Sequence, residues 1–260
     1  MTAAQEDRSP GLVFILGFPR SGTTLLAQIL ASAPNVVVFE ERPLLAKAIA
    51  DFVEAPDGPQ KLAAANDDVL AAYRADFWQR ARAEGDVRGK LTVEQTAFNT
   101  VYLPVIVRLF PDAKIVFAVR DPRDVVFSCF RRQFAPSRFT LEFRTLESTA
   151  RFYDATMRLA ELCRPALGAR LLDIRNEDLI EDFDSQVQRL CALTGVPWRE
   201  EMRHFEVAAR ERTLSTRSSH QIRRGLVRDG VGVWRRYAGQ MAPVLPILAP
   251  WVERFGYPAD

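Results

Sequence analysis

Apolar residues fall into two spacings along the chain, unbroken runs and helical stripes, which alternate from one end to the other. Leu12 to Leu16 is a continuous apolar run ending at Gly17, which predicts a strand buried on both faces of a parallel sheet. Gly17 to Thr24 predicts a loop, Thr23 to Ala33 a helix, and Val36 to Phe39 a short strand. From Pro43 to Gly89 the pattern turns helical, with Leu62, Val69, Leu70, Tyr73 and Phe77 on one face and arginines opposite. Asn99 to Phe110 predicts another helix, and Lys114 to Val119 a second buried strand. Asp121 can then cap a helix whose first position is Pro122, a residue that suits a first turn because no N–H is needed there. Leu146, Ala150, Tyr153, Met157 and Ala160 make a long amphipathic stripe; Leu171 to Ile174 is a third short strand candidate, followed by helices to about Leu193. Residues 213–233, rich in Ser, Arg and Gly, predict a functional loop, and a last helix covers roughly Ala242 to Arg254. Strands alternating with helices mean an α/β fold, a mostly parallel sheet flanked by helices. Residues 1–10 form a polar tail, and residues 11–260, with no internal repeat or low-complexity linker, are expected to be one domain.

Composition narrows the function classes. The chain has 260 residues, 48% of them hydrophobic and 26% charged, a globular composition able to bury a large core. Thirty-five basic residues against 33 acidic ones leave a net charge of +2, no bulk reason for a nucleic-acid partner. Any cationic chemistry must come from local placement. Cys129, Cys163 and Cys191 lie far apart and make neither a metal-ligand spacing nor a disulfide framework, so a reducing, cytoplasmic compartment is expected. Glu6 and Asp7 sit where a secretory leader needs apolar residues. The longest apolar candidate, Ala242 to Val252, is interrupted by prolines and stopped by Glu253, so no membrane span is expected.

The chemistry begins in the first loop. Gly17-Phe-Pro-Arg-Ser-Gly-Thr-Thr24 lies between a buried strand and a helix, the context of a phosphate cradle. Glycines allow close backbone approach, successive N–H groups form an anion nest, and the helix N-terminus adds a favourable dipole. A nucleoside-triphosphate loop has the same glycine spacing followed by lysine, but here Thr23 takes that position and Arg20 stands inside the loop. A phosphate-bearing donor other than ATP with magnesium is the reading; the plain alternative is a tight turn without ligand.

A second anion site follows in the segment Val119 to Arg132. Arg120 closes a buried strand and so lies at the carboxyl edge of the sheet, where ligands bind in open α/β folds. If Asp121 starts a helix, Ser128 and Arg132 are four residues apart on one face and can converge on one anion with Arg120. The alternative is that Arg120 pairs with a carboxylate and Arg131 and Arg132 form a solvated helix end.

FPRSGTTLL at 18–26 followed by KIVFAVRDPRDVVFS at 114–128 resembles the sulfotransferases that use 3′-phosphoadenylyl sulfate (PAPS), in particular the bacterial and tyrosylprotein-type branch. The likeness runs from about Gly11 through GVGVWRRY at 230–237 to the closing RFGYP at 254–258. It implies the sulfotransferase fold, with PAPS as donor, adenosine 3′,5′-bisphosphate (PAP) as product and no metal. By the match, Arg20, Ser21, Gly22, Thr23 and Thr24 hold the 5′-phosphosulfate, while Arg120, Ser128 and Arg132 hold the 3′-phosphate. Thr216 to Arg224 resembles the family loop that closes over the nucleotide, which adds Arg217, Arg224 and Arg228 as contacts. Arg20 is expected to stabilise charge developing on the bridging oxygen.

The resemblance places a glutamate base after the second strand, where Glu40-Glu41-Arg42-Pro43 favours Glu41. A carboxylate at that rim can take the proton of an acceptor hydroxyl or amine during in-line attack; alternatively both glutamates simply flank the next helix. Three positions depart from the family. Gln95 stands in the slot of a lysine that neutralises the leaving group, Lys90 being out of register; Asp229 and Gly230 stand at a serine slot; Asn176 replaces a tyrosine. His220 reads as an incidental loop histidine, and Trp234 as packing rather than adenine stacking. The expected acceptor is a hydroxyl-bearing small molecule, a carbohydrate or a tyrosyl peptide. A kinase with a degenerate loop is the rival enzyme, although the strand ending at Val119 is followed by arginine before Asp121; a nucleotide-binding protein that lost its chemistry is the other.

Overall fold

The computed structural model describes residues 11–207, 226 and 228–259. Five strands, β1 (Leu12–Gly17), β2 (Val36–Glu40), β3 (Leu91–Gln95), β4 (Lys114–Val119) and β5 (Leu171–Arg175), form one sheet in the order β2-β3-β1-β4-β5. Every neighbouring pair is parallel. Parallel strands need crossovers, and the crossovers here cover both faces with helices, which is why β1 and β4 read as unbroken apolar runs.

One face is covered by α1 (Thr23–Ala31), α8 (Asn176–Glu181) and α9 (Phe183–Thr194), which bury Leu26, Ile29, Leu179, Val187 and Leu190 with Val13 and Ile15 of β1. The other carries α4 (Asp67–Glu84), α5 (Leu103–Leu109), α6 (Pro122–Arg131), α7 (Leu146–Leu167) and α11 (Leu245–Arg254). The short helices α2 (Ala46–Ile49), α3 (Gly58–Ala64) and α10 (Ala238–Met241) lie between these. Phe14 of β1, Phe77 of α4 and Phe110 meet with ring centroids 4.9 to 6.1 Å apart, a tilted cluster that seats the inserted helices on the sheet. Val69 does not share that face: it is 46% exposed, one turn beyond the Asn66 side chain that caps α4.

Strand β3 is absent from the sequence expectation. Its sequence, Leu-Thr-Val-Glu-Gln, mixes polar and apolar residues, yet all five are buried between β2 and β1. Asn99 to Phe110 is likewise not one helix: a 3-10 segment, Ala97–Tyr102, precedes α5. The expected cap of α6 is present, Asp121 Oδ1 accepting the Arg123 N–H at 2.9 Å ahead of Pro122. α6 ends at Arg131, however, and Arg132 is extended (φ −97°, ψ 142°). The helical i, i+4 pairing of Ser128 with Arg132 is therefore corrected: they do not share a helix face.

The sheet order places a switch at β1, whose neighbours β3 and β4 are reached by chain on opposite sides, so the crevice for a ligand opens at the carboxyl end of β1. The segments that follow all five strands meet that edge. No described helix is long and apolar enough to cross a membrane.

Candidate active site

At the end of β1 the backbone turns sharply. Gly17 has φ +145°, and a Cβ there would meet the Ala118 carbonyl oxygen at 2.6 Å, so the loop can leave β1 against β4 only through glycine. Thr100 holds this point from the other side, its Oγ1 accepting the Gly17 N–H and donating to the Gly17 carbonyl, both at 2.8 Å. Phe18 buries its ring edge-on to Tyr153 and Phe152 of α7, with centroids 5.0 and 5.5 Å apart. Arg20 takes a left-handed backbone conformation (φ 76°), uncommon for a residue with a side chain, and directs the loop into α1. α1 has no acidic residue in its first turn, so its positive end faces the loop without opposition.

The structure joins the two sequence segments read as separate anion sites. Arg20 Nε donates to Ser128 Oγ at 3.2 Å, and Arg120 Nη1 donates to the Arg20 carbonyl at 2.9 Å. Arg120 Nη2 reaches the Gly230 carbonyl at 2.5 Å, drawing the late glycine loop over the same edge. Burial, then the charges of Arg132 and Arg120, lower Arg20 to about 10. The Nε groups of Arg120 and Arg132 are buried with no hydrogen-bond partner among the described residues. Gathering guanidinium groups with orphaned donors is costly unless an anion completes them. The residues therefore fit a multiply phosphorylated ligand. Ser21 of the loop and Thr23 and Thr24 of the first turn of α1 are buried.

Glu40 and Glu41 are separated by the end of β2. Glu40 turns to α1, where it accepts from Gln28 Nε2. Glu41 leaves the strand with φ 53°; its N–H donates to the Gln95 carbonyl at 2.9 Å, and its carboxylate accepts the Ala97 N–H. Burial raises the Glu41 pKa, against that hydrogen bond. Gln95, in the slot of the family lysine, donates through Nε2 to Thr23 Oγ1 at 3.2 Å, so it does reach the phosphate loop. Lys90 instead pairs with Asp86 at the surface.

Arg228 is exposed, and its carbonyl accepts the Val231 N–H; Arg217, His220 and Arg224 lie outside the described residues. Trp234 packs: its backbone N–H donates to Asp124, and Arg123 lies over its ring at 4.1 Å. Asn176 Oδ1 stands 2.9 Å from where a Cβ on Gly22 would be, so that glycine is required by a neighbour as well as by its φ of +103°. Sequence reasoning missed Thr100 and Glu94. Thr100 carries no signal among the apolar residues around it, and Glu94 was hidden with the unrecognised strand.

The profile described as "Sulfotransferase family" matches residues 10–200. The chain belongs to the sulfotransferase family. This sulfotransferase is 28% identical over 244 residues to an uncharacterized protein of Aquifex aeolicus, covering 91% of this chain; it spans only 32% of that relative's length. It is 24% identical over 257 residues to protein-tyrosine sulfotransferase 2 of Gallus gallus, covering 95% of this chain and 69% of that one. Among solved structures, the sulfotransferase domain of the Synechococcus PCC 7002 olefin synthase superposes with a TM-score of 0.63 at 20% identity, covering 97% of both chains. Mouse sulfotransferase SULT7A1 complexed with PAP superposes at 0.51 and 16% identity, covering 92% of this chain and 84% of that one. At these identities the superpositions show the fold, the parallel sheet and helix arrangement expected from the sequence.

Proposed function

We propose that this sulfotransferase moves a sulfuryl group from PAPS to a hydroxyl or amine acceptor, with Glu41 as the base. One observation carries the reading: Arg20, Arg120 and Arg132 gather on the sheet edge to which Glu41 also returns, and the Nε groups of Arg120 and Arg132 are buried without a hydrogen bond among the described residues. The PAP in the mouse structure supports the choice of donor.

In this reading the first turn of α1 and the Arg20 side chain hold the 5′-phosphosulfate, and charge developing on the bridging oxygen is met by fixed N–H groups. Ser128 orients Arg20 through its Nε, while Arg120 fixes the backbone from which Arg20 projects. Arg120, Ser128 and Arg132 hold the 3′-phosphate in this reading, with Arg224 and Arg228 as further contacts. The acceptor oxygen forms its bond to sulfur as the bond to the phosphate oxygen breaks; its proton passes to Glu41, and PAP leaves. A carboxyl raised by burial is a better base near neutral pH than a solvated one. The acceptor class is a hydroxyl-bearing small molecule, a carbohydrate or a tyrosyl peptide, the last supported by the Gallus relative. The apolar core running from Leu12 to Tyr257 supports one domain over residues 11–260. The free Cys129, Cys163 and Cys191 support a reducing, cytoplasmic setting.

Thermal unfolding with PAP, compared with ATP and magnesium, tests the donor. A ligand that binds only the folded chain raises its melting temperature, and PAP alone should do so. Stabilisation by ATP and magnesium alone would move the assignment to a kinase.

A further inference from the structure

Glu94 is a carboxyl in the apolar layer directly behind the proposed base. It lies at the register position of Phe14 on β1 and Phe39 on β2, and none of its surface is exposed. Thr96 Oγ1 donates to its Oε1 at 2.6 Å, whereas Oε2 is buried without a hydrogen bond among the described residues. The turn that holds it also holds Glu41, through the Gln95 carbonyl and the Ala97 N–H.

Among the described residues, the cations on the elements around Glu94 are engaged elsewhere. β1 contains no charged residue, and on the helices that cover this face Arg74 pairs with Asp67, Arg80 with Asp76, Arg108 donates to the Ala65 carbonyl and Lys47 lies over the Tyr73 ring. On β2, Glu40 is engaged with Gln28. Beyond Glu41, Arg42 turns outward to Glu84 at 3.4 Å. The 3-10 segment contributes Asn99 and, at its far end, Tyr102, whose hydroxyl accepts from Arg138. The charge that does reach Glu94 is that of Glu41, and it is negative. A carboxylate so placed is penalised; a protonated carboxyl is not.

We propose that Glu94 is a positioning residue for the donor site, a carboxyl kept neutral behind Glu41 whose ionisation weakens donor binding. The proposal rests on the PAPS reading above. Burial, with the Glu41 charge adding to it and the Thr96 and Asn99 hydrogen bonds opposing, pushes the Glu94 carboxyl up to about 8. Glu94 therefore keeps its proton at neutral pH. Above that range the proton passes to solvent, and a second negative charge appears beside Gln95, the residue that touches the phosphate loop at Thr23. A polyanionic donor is then repelled through a poorly screened interior.

The test is the affinity for PAP, measured by calorimetry from pH 7 to 9.5 in the wild type and in Glu94→Gln. The residual ionisation of the phosphates near pH 7 and any contribution from Arg20 are common to both proteins. As pH passes about 8 the wild type should lose roughly threefold to tenfold more affinity than Glu94→Gln. Parallel curves, falling or flat, overturn the proposal. Infrared spectroscopy of the unliganded wild type gives a readout independent of PAP. A buried protonated carboxyl band at pH 7 that disappears above pH 8 supports the assignment, and its absence at pH 7 overturns it. Glu41→Gln supplies a second variant: with the Glu41 charge removed, that band must titrate at lower pH. If PAP binds neither protein, the donor reading fails while the infrared titration still decides the protonation of Glu94.

Discussion

Arg120 Nη1 donates to the backbone carbonyl of Arg20 at 2.9 Å, so a side chain from the end of β4 fixes the one non-glycine residue of the phosphate loop that takes left-handed backbone geometry. A non-glycine residue in that region costs of order 1–3 kcal/mol and persists only where its surroundings hold it. Arg120 supplies that hold and, through Gly230, ties the late loop to the same point. The phosphate loop and the second basic segment are consequently one hydrogen-bonded unit, and changes in either should be felt in both.

Replacing Arg120 by lysine should separate charge from geometry. A lysine keeps the positive charge but loses the planar fork that reaches two carbonyls at once. PAP affinity is expected to fall at least roughly tenfold and unfolding free energy by ~1–3 kcal/mol. Calorimetry and urea titration measure the two; wild-type values in both would remove Arg120 from the site.

Glu41→Gln should abolish turnover while leaving PAP binding close to wild type, because the amide keeps the shape and loses the base. A positioned general base contributes on the order of 10²–10⁴ in rate. The Glu41 pKa is raised by burial, so the acid limb of the wild-type rate profile should sit above the ordinary carboxylate range, activity appearing as pH rises through it. Initial rates against pH with a phenolic or sugar acceptor panel check this. A variant with full turnover would assign the proton to another group.

How far the sequence went is clearest at Gln95 and Glu94. The phosphate loop was legible because glycines, a preceding apolar run and a following helix coincide within thirteen residues, from Leu12 to Thr24. Arg120 was legible for the same reason, at the end of the run Lys114–Val119. The strand between β2 and β1 was not: Leu91–Gln95 lacks an apolar run, and its brief Leu-Thr-Val-Glu alternation is the pattern of a half-exposed strand, not of one buried on both faces. Its burial is imposed by β1 and β2 on either side, and tertiary context decided what local pattern could not. Arg132 shows the opposite error. A helical spacing was assumed to persist to a residue where the backbone already turns extended, since helix ends are the least readable boundaries.

Gln95→Lys should supply the cation that the family resemblance implies at this position, and its effect should depend on ligand. Without an anion, a buried ammonium next to Thr23 is penalised, so the unliganded protein should lose ~1–3 kcal/mol of stability. With PAP bound, the added charge is compensated. The PAP-induced rise in melting temperature should accordingly exceed that of wild type. Thermal unfolding with and without PAP measures both, and an unchanged ligand-induced rise would place residue 95 away from the phosphates.

Arg123 links the chain's end to the helix that carries Ser128. It is buried, pairs bidentately with Asp121 at 2.9 and 3.0 Å, and donates to the Pro258 and Ala259 carbonyls at 2.8 and 3.0 Å. Asp121 is also the cap of α6, and its N–H donates to Glu177, whose other oxygen accepts the Tyr257 hydroxyl at 2.6 Å. Breaking a buried ion pair on one side leaves an uncompensated charge, so Arg123→Met should cost ~3–5 kcal/mol. Removing residues 257–260 takes away the Tyr257 hydroxyl and two acceptors but leaves the pair, and should cost less, ~1–3 kcal/mol. Because α6 positions Ser128 against Arg20, the truncated protein should also bind PAP more weakly at temperatures where it is still folded. Urea titrations rank the two variants, and calorimetry reads the affinity. A truncation as damaging as Arg123→Met would mean that the closing segment, rather than the ion pair, holds α6 in place.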